Sequence, residues 1–280
     1  MEIIFHNIYL ASFALYVVAW FFSLLRLLKS KSFYLRIIQL LLLLSLSAET
    51  IYLGWRWIRV NHPPLFGTFE NTLASAWFLG IFVIIINICR NNKFKGLDAF
   101  ILPWGIAALL WGSRFRVTLF PLTISELSWW LDIHVLFAWL AYPVFILSFS
   151  CSLAFLIKLY LENRGYKVEG LPDLDILDDL NFKAITYAFV FFSIMLAVGS
   201  WYYFILMGDW YAWEVVGLFS GVAWLVYGLI IHVRLFFGWH GKKFAIITSF
   251  PVLLIFLAYW IWSVFPGTYH SFDFFIIKAL

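Results

Sequence analysis

The sequence predicts an all-α integral membrane protein, a bundle of about eight transmembrane helices with both termini on the outer (periplasmic) side. Three observations predict it. First, of 280 residues, 64% are apolar, 22% aromatic and only 12% charged. A soluble domain carries roughly 45–50% apolar and about 25% charged residues. No soluble core hides this much apolar surface, so lipid is the solvent for most of the chain. Second, the apolar residues gather in eight windows that approach the roughly 20 residues a helix needs to cross the hydrocarbon core. Third, the basic residues are shared unequally between the two sides.

The windows begin near Asn7, Tyr34, Asn71, Asp98, Asp132, Phe182, Ala212 and Phe244, and end near Leu28, Ile58, Arg90, Gly112, Tyr160, Leu206, Phe236 and Val264. The first has no basic leader and no small-residue cleavage site, so it reads as a retained helix. The fourth is short and holds Pro103 and Gly105, which neighbouring helices can accommodate. With this order, fourteen Lys and Arg residues fall on one side, in segments such as Arg26–Lys31 and Lys242–Lys243. Five fall on the other: Arg56, Arg59, Arg114, Arg116 and Lys278. The side rich in positive charge is cytoplasmic. The connection from 161 to 181, with Asp173, Asp175, Asp178 and Asp179, reads as a polar cytoplasmic linker. No internal repeat appears, so residues 1–280 read as one polytopic domain.

Other classes are excluded or left without support. A net charge of +4 with no basic patch gives no footprint for nucleic acid. Cys89 and Cys151 lie inside apolar runs and form no CxxC motif. Glu49 is the one charged residue deep in a span, which argues against an ion-coupled transporter. Its carboxyl is expected to be protonated or hydrogen-bonded to a neighbouring helix.

The outer side collects the candidate functional residues. Asn61-His62-Pro63-Pro64 runs on to Glu70; Ser113 to Leu131 includes Arg114, Arg116, Trp129 and Trp130. An outer Trp-rich segment, 199–217, contains Trp201, Trp210, Tyr211, Trp213 and Glu214. A single Trp or Tyr there is explained by the preference of amphipathic rings for the headgroup level. The density of this run also suits a shelf for a large planar apolar ligand. His134 opens the fifth window and His270 lies just past the eighth, so the two flank the shelf; His232 falls near the inner end of the seventh. Neutral imidazole is a good ligand for iron, copper or zinc, and a hydrogen-bonded structural histidine is the alternative for each. Asp132 either begins its helix or orients the imidazole of His134. Arg114 and Arg116 suit either carboxylates or headgroups.

At these residues the chain resembles the cytochrome c assembly family, the haem-handling proteins CcsA (ResC) and CcmC. The family's WWD domain has the form WGxYWxWDPKE. The stretch Met207-Gly208-Asp209-Trp210-Tyr211-Ala212-Trp213-Glu214 is similar, and the register holds through Trp224 and Tyr227 to His232 and Arg234. Gly241-Lys242-Lys243-Phe244-Ala245 resembles the family's inner loop. His62-Pro63-Pro64 with Glu70 and Trp77 resembles an H-x-P…E…W element. Leu131-Asp132-Ile133-His134-Val135 resembles the element that opens a helix with a histidine. Met207 stands where the first Trp of the motif is expected and Glu214 where its Asp is, so the motif is degenerate.

The resemblance implies that His134 and His270 are the outer axial ligands to haem iron. Trp201, Trp210, Tyr211, Trp213 and Glu214 belong to the haem platform, and His232 receives haem on its way outward. It implies haem b as the group bound and a CcsB/ResB-like membrane partner. Apocytochrome c is the acceptor, and the cell inner (cytoplasmic) membrane is the location. The chain is then the haem-handling subunit of a cytochrome c synthase (haem lyase). A non-catalytic HemX-like regulator of haem biosynthesis, and a haem-binding or transport protein of another class, stand as alternatives.

Overall fold

The computed structural model describes residues 2–29, 31–64, 67–88, 93–115 and 127–258, with side chains from residue 7 onward. The described residues form helices and no strand. In chain order they are α1 (Glu2–Lys29), α2 (Ser32–Val60), α3 (Thr68–Ile88), α4 (Asp98–Gly112), α5 (Trp129–Glu162), α6 (Leu174–Met207), α7 (Val215–Phe237), α8 (Gly241–Ser249) and α9 (Val252–Phe256). Six of these, α1, α2, α3, α5, α6 and α7, are long and apolar enough to cross a membrane. The protein is a multi-pass membrane protein.

The other two expected windows behave differently. α4 has 15 residues, about 22 Å of helix, against a hydrocarbon core of about 30 Å. The window from Phe244 is interrupted at Phe250 and Pro251, so α8 and α9 are separate short helices. Proline supplies no N–H to the ladder and its ring clashes with the preceding turn. The stretch toward Val264 lies outside the described residues.

Helix ends follow local chemistry. α2 stops at Asn61, which adopts the left-handed conformation (φ 55°). Asn tolerates it because its short polar side chain bonds locally. α6 stops at Gly208 and α7 at Gly238, both left-handed, the usual C-terminal signal. α6 starts at Leu174, well before Phe182, so the linker expected over 161–181 is helical in its second half. The reason is an apolar period: Leu177, Leu180 and Asn181 are buried while Asp175 and Asp179 face out. Polar composition alone hides such an amphipathic first turn.

Two apolar cores share α5. One packs α1–α4 against α5 and α6, around Tyr9, Tyr16, Ile38, Leu42, Leu79 and Cys151. The other packs α5–α9, around Phe145, Ile185, Phe192, Tyr227 and Phe244. Buried polar residues cross-link the helices. Asn181 donates to Ser152 Oγ (2.9 Å) and Thr248 Oγ1 (2.8 Å) and accepts from Ser148 Oγ (2.6 Å), joining α5, α6 and α8. In a lipid-like interior such bonds leave few polar atoms unsatisfied. Asp178 at the start of α6 accepts from Arg234 of α7 (2.7 Å) and from the Gly241 backbone N–H of α8 (2.9 Å). Antiparallel α5 and α6 therefore bring Trp129–His134, Gly199–Gly208, the α2–α3 turn and the start of α7 to one end of the bundle. Asp178, His232, Arg234 and α8 lie at the other.

Candidate functional site

The site grows from a close approach of α5 and α6. His134 of α5 lies against Gly199 of α6. A Cβ at residue 199 would meet His134 Nδ1 at 2.5 Å and Cε1 at 2.7 Å, so the imidazole occupies space that only glycine leaves. His134 Nδ1 is 2.8 Å from the Met195 carbonyl. A carbonyl can only accept, so Nδ1 carries a proton, and in the neutral ring the lone pair is on Nε2. This is the tautomer of a metal-binding histidine. Asp132, named above as a candidate to orient this ring, does not; the α6 backbone does.

One turn earlier on α5 stands Trp130, on the same face as His134. Trp130 stacks on Trp129 (4.3 Å between centroids) and meets Trp201 edge-on (6.3 Å). Trp201 continues to Trp210 (5.8 Å), and Phe204 stacks on Trp210 (4.3 Å, 14°). The five rings form a continuous aromatic shelf, with Trp129 and Trp210 more than half exposed. His134 lies one helical turn from Trp130, toward the middle of α5. The sequence reading placed Trp201 and Trp210 in the shelf; it named Trp129 and Trp130 on the same outer side but outside the shelf, and did not name Phe204. The four-residue spacing from Trp130 to His134 was the available signal.

The remaining candidates divide. Tyr211 and Trp213 pair with each other (4.8 Å) on the α6–α7 connection. The Tyr211 hydroxyl donates to the Gly217 carbonyl (2.5 Å), closing the loop onto the first turn of α7, and burial pushes its pKa up. Glu214 is the N-cap residue of α7, with extended backbone (φ −109°, ψ 170°). A carboxylate there is favoured by the partial positive charge of the helix start. His232 lies at the opposite end of the bundle, exposed on the outer surface of α7. Its Nδ1 donates to the Gly228 carbonyl (2.7 Å) and its ring stacks on Phe236 (5.6 Å). His270, Arg116 and the segment from Pro266 to Tyr269 lie outside the described residues. Arg114 packs over the ring of Trp111 (5.4 Å).

A second layer supports the shelf end. His62, buried in the α2–α3 turn, places Nε2 3.4 Å from Asp132 Oδ1 and Nδ1 3.1 Å from the Pro63 carbonyl. The turn thereby lies against the first turn of α5, two residues before His134. Beneath it, Arg56 of α2 and Glu70 of α3 form a buried ion pair (2.8 Å). Gly67, left-handed at φ 97°, leaves the space that the Glu70 carboxylate fills. Trp139 of α5 donates to Asn71 Oδ1 (2.9 Å). His62 and Glu70 were visible in sequence as a motif, but their partners were not.

The model of the family described as cytochrome C assembly protein matches residues 65–270. The chain belongs to the cytochrome c assembly family. The matched region contains α3 to α9, the shelf and the segment around His270. Among curated relatives, the cytochrome c biogenesis protein CcsA of Prochlorococcus marinus is 24% identical over 242 residues, covering 75% of each chain. CcsA of Mesostigma viride is 23% identical over 297 residues, covering 95% of each. CcsA of Chlamydomonas reinhardtii is 26% identical, covering 79% of this chain and 64% of that relative. The cytochrome c haem lyase CcmF has a similar structure, with a TM-score of 0.64 over 94% of this chain at 11% identity. The match spans 46% of CcmF, and it shows a shared fold. As a member of the cytochrome c assembly family, the protein has a role in cytochrome c biogenesis.

Proposed function

We propose that the protein holds haem on the aromatic shelf and presents it there for covalent attachment to apocytochrome c. One observation carries this reading: His134, with its Nδ1 2.8 Å from the Met195 carbonyl, stands one helical turn from Trp130 and so next to five clustered aromatic rings. Haem is cargo here, and its iron takes axial imidazoles. His134 supplies one and His270 the other. Trp201 and Trp210, extended by Trp129, Trp130 and Phe204, supply the apolar face, while Tyr211, Trp213 and Glu214 hold the connection in place. His232 is the intramembrane histidine that receives haem first. Its outward-facing ring suits a second ligand from a CcsB/ResB-like partner. In this reading the bundle has eight crossings, α4 and the α8–α9 segment completing the six long helices. Both termini and the shelf are then on the periplasmic side of the inner membrane, and the cargo is haem b. The chain forms one domain, its Trp-rich segment 199–217 outside and the linker 161–181 in the cytoplasm.

The test is the absorption spectrum of the detergent-purified protein. A bis-imidazole Soret band is expected. His134→Gly and His270→Gly each weaken it, and added imidazole restores it. A spectrum indifferent to both substitutions refutes the reading. Met207 and Glu214, where the WWD motif departs from its pattern, favour a second reading as a HemX-like regulator. That reading predicts no attachment of haem to a co-expressed apocytochrome even with a CcsB-like partner present.

A further inference from the structure

The first helix pair contains a buried polar pocket that the shelf does not use. α1 turns Tyr9, Ser12 and Tyr16 inward, and α2 turns Ser45, Glu49, Tyr52 and Arg56 toward them. Both sets follow the helical period. Ser12, Ser45 and Glu49 have no exposed surface at all. Ser45 Oγ donates to Glu49 Oε1 (3.2 Å). Glu49 Oε2 and Ser12 Oγ have no hydrogen-bond partner among the described residues.

We propose that Glu49, with Ser12 and Ser45, forms a proton-binding site inside the bundle, separate from the haem shelf. The titratable groups sharing the buried α1–α2 faces with it are Tyr9 and Tyr16 from α1 and, one and two turns farther along α2, Tyr52 and Arg56, the latter paired with Glu70 of α3. Among the described residues, no cation is placed to neutralise a carboxylate there. Arg56 lies two turns away and gives its Nε to Glu70 (2.8 Å). Arg26, at the far end of α1, is engaged with Asp98 (3.2 Å) and Asn87 (3.1 Å). The Tyr9 and Tyr16 hydroxyls donate to the Leu109 and Ala76 carbonyls. A carboxylate without a counter-charge in such a place neutralises instead. A proton on Glu49 removes the charge that nothing in the site offsets and makes the carboxyl a donor, while the Ser12 and Ser45 hydroxyls, which both donate and accept, can adapt to the neutral acid. The site gives the bundle one charge that it can gain or lose about 16 Å from the Val60 end of α2, at 1.5 Å per residue.

Infrared difference spectroscopy on the purified full-length protein tests this. At neutral pH the wild type should show the carbonyl stretch of a protonated carboxylic acid that Glu49→Gln removes. Ser12→Ala keeps the carboxyl and should shift the band, so it reads the same contact if Glu49→Gln does not fold. Loss of a carboxylate band in Glu49→Gln, with the acid region unchanged, overturns the proposal. So does a band that Ser12→Ala leaves unmoved. Thermal unfolding in sodium chloride and in choline chloride adds a third arm. Equal midpoints are expected; a sodium-dependent rise in the wild type that Glu49→Gln abolishes makes the occupant sodium, and also overturns it.

Discussion

Replacing Gly199 with alanine tests the geometry of the site without touching a polar atom. The added methyl would lie 2.5 Å from His134 Nδ1 and 2.7 Å from Cε1, closer than side-chain atoms approach. The ring can move away only by giving up its bond to the Met195 carbonyl, worth about 1 kcal/mol. Forcing a methyl into a filled contact costs about 1–3 kcal/mol. The gain in helix propensity from glycine to alanine returns about 1 kcal/mol. The net expectation is a destabilisation of about 1–3 kcal/mol. Gly54 is the internal control, because a Cβ there meets nothing within 4 Å. Gly54→Ala keeps only the propensity gain and should stabilise by up to about 1 kcal/mol. Thermal unfolding of the two detergent-solubilised variants measures the difference. Nitrogen-15 NMR of the imidazole reads whether the Nδ1–H tautomer survives. If Gly199→Ala is as stable as Gly54→Ala and retains the tautomer, the α5–α6 contact at His134 is not as described.

Three further outcomes follow from the polar network. Arg56→Ala and Glu70→Ala should each cost about 3–5 kcal/mol, because each leaves a buried charge uncompensated, and the double variant should cost less than their sum; thermal unfolding of all three checks it. Asn181→Leu strips the shared partner from Ser148, Ser152 and Thr248. It should cost about 1–3 kcal/mol through the polar atoms left behind, with the loss of protease resistance concentrated at the α5–α6–α8 junction. His62→Ala and Asp132→Ala should couple by about 1 kcal/mol or less, because Asp132 is partly open to solvent. Additive effects on the unfolding midpoint would show that the α2–α3 turn is held by something else.

The sequence read the membrane bundle well where runs were long. α1, α2, α3, α5, α6 and α7 each coincide with an expected window, because a run of about twenty apolar residues has few folded solutions in lipid. The eighth window is divided at Phe250 and Pro251 into α8 and α9, and its stretch toward Val264 lies outside the described residues; α5, by contrast, runs unbroken through Pro143. α6 began early because four aspartates masked the buried period of Leu177 and Leu180. At the site, His134, Trp201 and Trp210 were legible as residue types in a recognisable order. What held them was not. The Met195 carbonyl is 61 residues from His134, and Asp132, read as either a helix-start residue or a partner of this ring, stands in the first turn of α5 with Oδ1 3.4 Å from His62 Nε2. Such pairings depend on which helix faces meet, which local spacing does not encode.

The two described histidines of the haem reading differ in what sets their orientation. Both donate from Nδ1 to a backbone carbonyl, so in either neutral ring the lone pair is on Nε2. His134 uses a carbonyl of another helix, so its aim depends on how α5 and α6 pack. His232 uses the carbonyl of Gly228, four residues back on α7. That bond comes with the helix itself, so the aim of His232 survives any rearrangement that leaves α7 intact. A ring oriented by its own helix and exposed on the bundle surface suits a contact completed by a second protein. A ring clamped between two helices next to an aromatic shelf suits a contact completed within the chain. Loosening the α5–α6 contact should therefore disturb His134 and spare His232. Gly199→Ala is the substitution that separates the two histidines in one experiment.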